Sequence, residues 1–307
     1  MRLAVTGASG FCGGYVALAA AATGTDVVCV GRRPGPVGAQ RFWDAAGEPP
    51  DFSGVDAVVH VAAAVGDPGN GPAAQAAYRA VNVDGTARLL DAAGDRTVVY
   101  VSSASVYDPR TDRRHVTEEH PVGGHLNAYG RTKADGDRIA LDAGAVVLRP
   151  RGVYGSGDPH LVPRLRRRVR RGRLGLPGPD VRLSLTAVEN LADACLAALD
   201  WPAGAYNIVD AQPYPRDATL VAVLAGFGTS ARVVHVPLRL AELAARLAEA
   251  AARSRPPALS RYAVDQLAHD VVLDIGKATA QGWRPRRSVA DYVADLHFAQ
   301  PDGTGQR

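Results

Sequence analysis

Tyr129 and Lys133 are the residues of this chain whose types and spacing could most directly move a proton. Of 35 basic residues only two are lysines, Lys133 and Lys277, so an ammonium four positions after a tyrosine stands out against an arginine background. On a helix, positions i and i+4 share a face. A cation beside a phenol favours the phenolate and lowers the tyrosine pKa toward the range of a working acid or base. The same spacing on an exposed helix makes only a solvated pair, so the surrounding elements must decide. Ser103 and Ser105 follow the apolar run at 97–101. They read either as a polar strand-end turn or as hydroxyls at the carboxyl end of a central strand, where open α/β sheets bind ligands.

The elements that would position these groups begin at the N-terminus. A short apolar strand leads into Gly7, Ser9, Gly10, Phe11, Cys12 and Gly13, and an Ala-rich helix follows at 15–22. Strand, glycine loop and helix form the context in which glycines admit a pyrophosphate close to the backbone and a helix N-terminus attracts it. The glycine spacing is three and three, not the two and three of Gly-x-Gly-x-x-Gly. A second strand at 26–30 ends in Gly31-Arg32-Arg33. A carboxylate there would grip a ribose 2′-hydroxyl; glycine followed by two arginines suits a 2′-phosphate instead, hence NADP(H) over NAD(H). The Gly/Pro-rich segment 34–50, with Trp43 and Asp44, is read as a shortened third strand beside the adenine. Strand 56–64 ends in Ala62, Ala63 and Ala64, which leave room at the sheet crevice; His60 within it reads as a core histidine. A helix spans 73–93. Its Asn82 either braces the active-site backbone or ties helix to loop. A further strand at 97–101, a helix from 129 to 142 and a strand at 145–148 follow.

These pieces stand in a familiar order. The glycine motif, Asp56-x-x-x-His60-x-Ala62-Ala63, Asn82-Val83-x-Gly85-Thr86, Ser103, Tyr129-x-x-x-Lys133, Arg149-Pro150-x-x-Val153-Tyr154-Gly155, Val188-Glu189-Asn190-Leu191, Tyr206-Asn207-Ile208 and Gly282-Trp283-x-Pro285 resemble the extended short-chain dehydrogenase/reductase family, which includes the NAD(P)-dependent epimerase/dehydratases. The resemblance runs over nearly the whole chain. It implies an α/β fold: a Rossmann-type doubly wound parallel sheet with a smaller C-terminal α/β substrate-binding lobe. The cofactor domain would be 1–158, with the chain returning to it at 184–210. The substrate lobe would be 159–300 and a disordered tail 301–307. By the same resemblance Tyr129 is the acid–base group, Lys133 lowers its pKa and holds the nicotinamide ribose, and Ser103 hydrogen-bonds the reacting carbonyl. Ala62, Ala63 and Ser102 contact the cofactor, Pro150 and Val153 wall the nicotinamide, and Ser105 and Tyr154 contact substrate. Sugar dehydratases of this kind usually carry an acidic residue where Ser105 stands, so no elimination chemistry is expected. Residues 182–190 look more like the 3β-hydroxysteroid dehydrogenase-like branch, which handles lipophilic alcohols and ketones.

The bulk properties are compatible with that. The chain has 307 residues, 47% apolar and 21% charged, with a formal net charge of +4. No nucleic-acid-binding motif and no metal-ligand spacing occurs, and Cys12, Cys29 and Cys195 are too few and far apart for a disulfide framework. Neither a leader pattern nor an apolar run long enough for a membrane span is seen, so a cytoplasmic enzyme without stable membrane insertion is expected. Residues 161–173 are read as one helix rich in arginine, from Arg164 to Arg173. It is a solvated face, a dock for an acidic carrier protein or coenzyme A handle on a small-molecule substrate, or an aid to a nucleotide diphosphate. The stripe Leu240, Leu243 and Leu247 is expected to pack on the core or cover the substrate. A homodimer through 84–93 and 129–142 is expected. The leading reading is an NADP(H)-dependent oxidoreductase of a lipophilic ketone or secondary alcohol. A nucleotide-sugar epimerase or 4-ketoreductase is the alternative, and a non-catalytic NADP-sensing regulator is the alternative of another class.

Overall fold

Strand runs that are apolar on both faces are the mark of a parallel sheet covered on both sides, and that is what forms in the computed structural model, which describes residues 1–68, 71–159, 161–252 and 259–299. In chain order come β1 (Arg2–Thr6), α1 (Phe11–Ala22), β2 (Asp26–Gly31), β3 (Ala39–Phe42), β4 (Ala57–His60) and α2 (Pro72–Arg79). A π-type turn over Ala80–Asp84 leads into α3 (Gly85–Ala93), β5 (Thr97–Val101), α4 (Ala128–Asp142), β6 (Val146–Pro150) and β7 (Val153–Tyr154). Next are α5 (Leu161–Arg168), β8 (Val169–Arg170), β9 (Arg173–Pro177), β10 (Arg182–Leu183), β11 (Thr186–Ala187), α6 (Val188–Ala197) and β12 (Gly204–Ile208). The chain ends with β13 (Tyr214–Pro215), α7 (Arg216–Gly226), β14 (Arg232–Val236), α8 (Leu238–Ala251), α9 (Arg261–Ala268), α10 (Gly276–Ala280) and α11 (Val289–Ala299). The 301–307 tail lies outside the described residues.

Seven parallel strands lie in the order β12-β6-β5-β4-β1-β2-β3. Period-two alternation splits their side chains between two cores. Leu3, Val5, Val59, Val99 and Leu148 pack with α1 and α6 residues such as Val16, Ala20, Leu191 and Ala194. Ala4, Val28, Val58, Tyr100 and Val147 pack with Trp43, Phe52, Leu89 and Ala140. Strand order reverses between β1 and β4, so a crevice opens beyond their carboxyl ends. A three-stranded sheet β14-β9-β8 with α5, α7, α8 and α9 forms the smaller part. It is fastened by the parallel pair β11–β7 and by the buried Arg113–Asp265 ion pair at 2.6 Å.

Two elements depart from the sequence reading. The arginine-rich helix stops at Arg168, and Val169–Pro177 turns back as a β8–β9 hairpin. The stop has a local cause: Arg171 and Gly172 both take positive φ, 50° and 68°, and a glycine accepts that where a helix cannot continue. Arg166, Arg167 and Arg168 thus fall in the last helical turn, the end where cations are favoured. The leucine stripe of α8 faces outward, with Leu240, Leu243 and Leu247 exposed by 58, 53 and 62%. The helix instead buries Ala241 and Ala245 with Val264 and Ala268 of α9, because small side chains let two helices approach closely.

The sheet edge that matters for chemistry is held by an ion pair. Arg149 on β6 donates to both oxygens of Asp137 on α4, at 2.7 and 3.0 Å, and both side chains are almost fully buried. Ser102 Oγ donates to Asp137 at 2.6 Å, and Arg149 also donates to Tyr107 Oη and the Glu118 carbonyl. Removing one partner of a buried pair leaves a charge uncompensated. Asp137→Ala should therefore lower stability by about 3–5 kcal/mol in urea unfolding, against about 1 kcal/mol for Ser102→Ala.

Candidate active site

The crevice at the strand-order reversal is a cleft of about 940 Å³ lined by the glycine loop 7–14, by 31–36, by Trp43 to Ala45, by Val61 to Ala63 and by Ser156 and Gly157. Helix α1 begins at Phe11, earlier than the sequence suggested, with Gly10 as a cap that offers no side-chain bond. Its first N–H groups are left for an anion. The loop tolerates only glycine at its closest point. A Cβ on Gly7, whose φ is +68°, would sit 2.9 Å from the Ala62 backbone, and one on Gly13 would sit 2.3 Å from the Gly7 carbonyl oxygen. Gly31 closes β2 where a carboxylate would otherwise stand. Arg32 and Arg33 are exposed on the cleft wall and make no ion pair or hydrogen bond among the described residues. Of the anticipated cofactor contacts, Gly7, Ser9, Gly10, Phe11, Cys12, Gly13, Arg32, Arg33, Ala62 and Ala63 all line this cleft.

Ser103, Ser105 and Tyr129 come together at one end of β5. The strand does not persist past Val101; a 3₁₀ turn over Ala104–Val106 brings Ser105 round so that its Oγ donates to Ser103 Oγ at 3.0 Å. The Tyr129 phenol neighbours both serine hydroxyls, which oppose the rise in its pKa. Helix α4 is started for this purpose by Asn127, whose Oδ1 accepts from the Gly130 amide at 2.9 Å while its Nδ2 donates to Asp67. Asn82 does both jobs open to it: it bonds the Ala64 N–H and carbonyl after β4 and the Thr132 hydroxyl on α4. It sits in the π-type turn, a local distortion that recurs at functional sites.

Several expectations need correction. Lys133 does not lean toward Tyr129; its Nζ donates to Tyr100 Oη at 3.0 Å and to the Val101 carbonyl at 2.7 Å. Burial raises the Tyr129 pKa here, with the neighbouring Ser103 hydroxyl opposing the rise, whereas the sequence argued for a lowered one. Lys133 is itself pushed down to about 7 by burial, against the pull of Asp137. The Ser102 hydroxyl donates to Asp137 and its amide to the Leu148 carbonyl. Tyr154 is not a substrate contact: it is 3% exposed, and its hydroxyl donates to Asp210 at 2.6 Å. Pro150 ends β6 and Val153 opens β7; like Ser103, Ser105, Tyr129 and Lys133, they are not among the residues that line the cleft. Sequence reasoning missed Asp67, Tyr78 and Tyr262, which cluster electrostatically with Tyr129. The Asn127 cap two residues before Tyr129 was the one signal available.

With this geometry in place, the chain's kinship is plain. It belongs to the NAD dependent epimerase/dehydratase family, whose model matches residues 3–209, and it is an oxidoreductase of the extended short-chain dehydrogenase/reductase type. A 4-hydroxy-2-methyl-3-oxo-4-farnesyl-3,4-dihydroquinoline-1-oxide ketoreductase of Stigmatella aurantiaca is 30% identical, with 99% of this chain and 98% of that protein covered. A 2-alkyl-3-oxoalkanoate reductase of Stenotrophomonas maltophilia is also 30% identical, over 87% of this chain and 89% of that protein. Among solved structures, a short-chain dehydrogenase/reductase superfamily protein from Agrobacterium tumefaciens with bound NAD superposes with a TM-score of 0.75 at 22% identity, over 97% of each chain. UDP-N-acetylglucosamine 4-epimerase from Bacillus cereus gives 0.72 at 20%, over 97% of this chain and 98% of that one. At such identities these structures share the fold.

His60 proves to be a satisfied core histidine: it is fully buried between Thr6 Oγ1 at 2.7 Å and Thr86 Oγ1 at 3.3 Å. Burial first, and the Lys133 charge second, push its pKa down to about 3. A folded-state value below the unfolded value means that the unfolded chain binds the extra proton between pH 6.5 and 3, so stability falls as pH falls through that window. Unfolding free energy should drop by up to ~1.4 kcal/mol per pH unit below 6.5. His60→Gln should flatten that slope in urea titrations at pH 7, 6 and 5.

Proposed function

We propose that the protein is an NADP(H)-dependent reductase of a lipophilic ketone, with a 3-oxoacyl or ring ketone as substrate. The observation that carries this is the group of three hydroxyls, Ser103, Ser105 and Tyr129, with Lys133 buried one turn on along α4 and a glycine-lined cleft at the strand-order reversal. When bound, the nicotinamide supplies the hydride. The chain's own residues do the rest. Ser103 donates to the substrate oxygen as negative charge develops there, and Tyr129 passes its proton to the same oxygen. Lys133, on the next turn of the helix and held by Tyr100 and the Val101 carbonyl, would hold the nicotinamide ribose. Ser105 in the place of a carboxylate gives no base for elimination.

Arg32 and Arg33, unpaired on the cleft wall where β2 ends in Gly31, support a 2′-phosphate. The names of the two 30%-identical relatives, both reductases of 3-oxo compounds, support a ketone over a nucleotide sugar; the epimerases among the solved structures bear on the fold alone.

In a turnover screen, NADPH should be consumed with 2-alkyl-3-oxo acids and lipophilic cyclic ketones but not with UDP-sugars. Tyr129→Phe should lower kcat by about 10²- to 10⁴-fold while NADPH still binds. Replacing Arg32 and Arg33 together by alanine should weaken NADPH at least ~10-fold and leave NADH unchanged. Equal affinity for NADH and NADPH in the native enzyme would defeat the NADP assignment.

A further inference from the structure

Lys133 is 2% exposed and Tyr100 is 1% exposed. The ammonium lies 4.3 Å from the centre of the Tyr100 ring as well as 3.0 Å from its hydroxyl oxygen. An ammonium has three N–H donors. Two of them go to Tyr100 Oη and the Val101 carbonyl, which leaves a single direction for the third.

The tyrosine oxygen is itself oriented by a chain of bonds whose directions can be assigned by counting. Thr86 Oγ1 donates to the Asn82 carbonyl at 2.9 Å. Its one proton is thereby engaged, so toward the neighbouring Tyr100 its oxygen can only accept, while the phenol oxygen accepts from Lys133. By the same count His60 Nε2 carries the proton that goes to Thr86, and His60 Nδ1 accepts from Thr6. Thr6 Oγ1 in turn accepts from the Val61 and Ala62 amides at 3.1 Å each. Each donor and acceptor in this series is matched from the cofactor cleft wall to Thr86. The fit is close: Gly136, one turn beyond Lys133 on α4, has room for nothing larger, since a Cβ there would lie 2.7 Å from Tyr100 Oη and 2.4 Å from the Asn82 carbonyl oxygen.

We propose that Tyr100 is a positioning residue for Lys133: its phenolic oxygen, with Thr86 behind it, accepts from the ammonium, favours its charged form and fixes where it stands. The inference rests on the reading of Lys133 as the active-site cation. Other titratable groups around Lys133 are Asp137 on its own helix and His60 on β4, and Tyr129 acts on Tyr100. Asp137 is occupied by Arg149 and Ser102, and His60 is neutral, which leaves the phenol as the adjustable partner. The bond favours the charged lysine, so its loss must lower the lysine pKa.

The test exploits the chain's two lysines. Selective lysine labelling gives two side-chain NMR signals, with the exposed Lys277 as an internal reference. Following the full-length enzyme from pH 5 to 11, Tyr100→Phe should move the Lys133 midpoint down by roughly one pH unit without moving Lys277. The high-pH limb of kcat/KM for ketone reduction should move down by the same amount. Thr86→Val, which removes the hydroxyl at nearly constant volume, should shift both in the same direction, and Thr86→Ser should restore them; this pair carries the test if Tyr100→Phe does not fold. An unmoved Lys133 midpoint in either folded variant overturns the proposal. A moved midpoint with an unmoved kcat/KM profile upholds the Tyr100–Lys133 assignment and refutes the catalytic reading of Lys133.

Discussion

The arrangement depends on one buried ion pair. Arg149 and Asp137 stand beneath the carboxyl ends of β5 and β6, each nearly inaccessible to water. Desolvating two charges is costly unless the remaining donors and acceptors are also satisfied. Here they are: Ser102, Tyr107 and the Glu118 carbonyl complete the set, and Tyr107 passes the connection to Asn207 on β12. The pair therefore locks α4 against the sheet and fixes the turn after Val101. Everything the chemistry needs from α4, namely Tyr129 one turn before Lys133 and Lys133 one turn before Asp137, is placed by that lock.

The second constraint is that of parallel sheets. Because strand order reverses between β1 and β4, the helix-bearing connections part and leave a cleft at that point. The glycine loop can line it only because side chains are absent where Gly7 meets Ala62 and Gly13 meets Gly7. The two constraints meet at β4 and β5, where Thr6, His60 and Thr86 bond in series behind the cleft wall and Tyr100 accepts from the lysine.

Much of this could be read in the chain because its signals are local. Gly7, Gly10 and Gly13 between strand and helix, the apolar runs that became β1, β4 and β5, and the Tyr129–Lys133 spacing each need only neighbours within a turn or two. What escaped depends on partners distant in sequence. Tyr100 read as one more apolar strand residue, yet its hydroxyl meets Lys133 from 33 positions away. Tyr154 sat in a motif that suggested substrate contact, but Asp210, 56 residues on, takes its hydroxyl. The outward turn of the α8 leucines follows from the fit of Ala241 and Ala245 against α9, and helical periodicity alone cannot say which of two apolar stripes faces inward. The early end of α5 was visible in Arg171-Gly172, but the run of arginines around it concealed the turn.

Net reduction of a ketone is what the proposed function requires of this site. Its most direct measurement uses NADPH deuterated at the transferable C4 position together with a 2-alkyl-3-oxo acid, followed by mass spectrometry of the product. One deuteron bound to the former carbonyl carbon, with one NADPH consumed per product formed, is the expected result. Turnover of a nucleotide sugar with no net NADPH consumption, and no deuterium in any alcohol product, would contradict it.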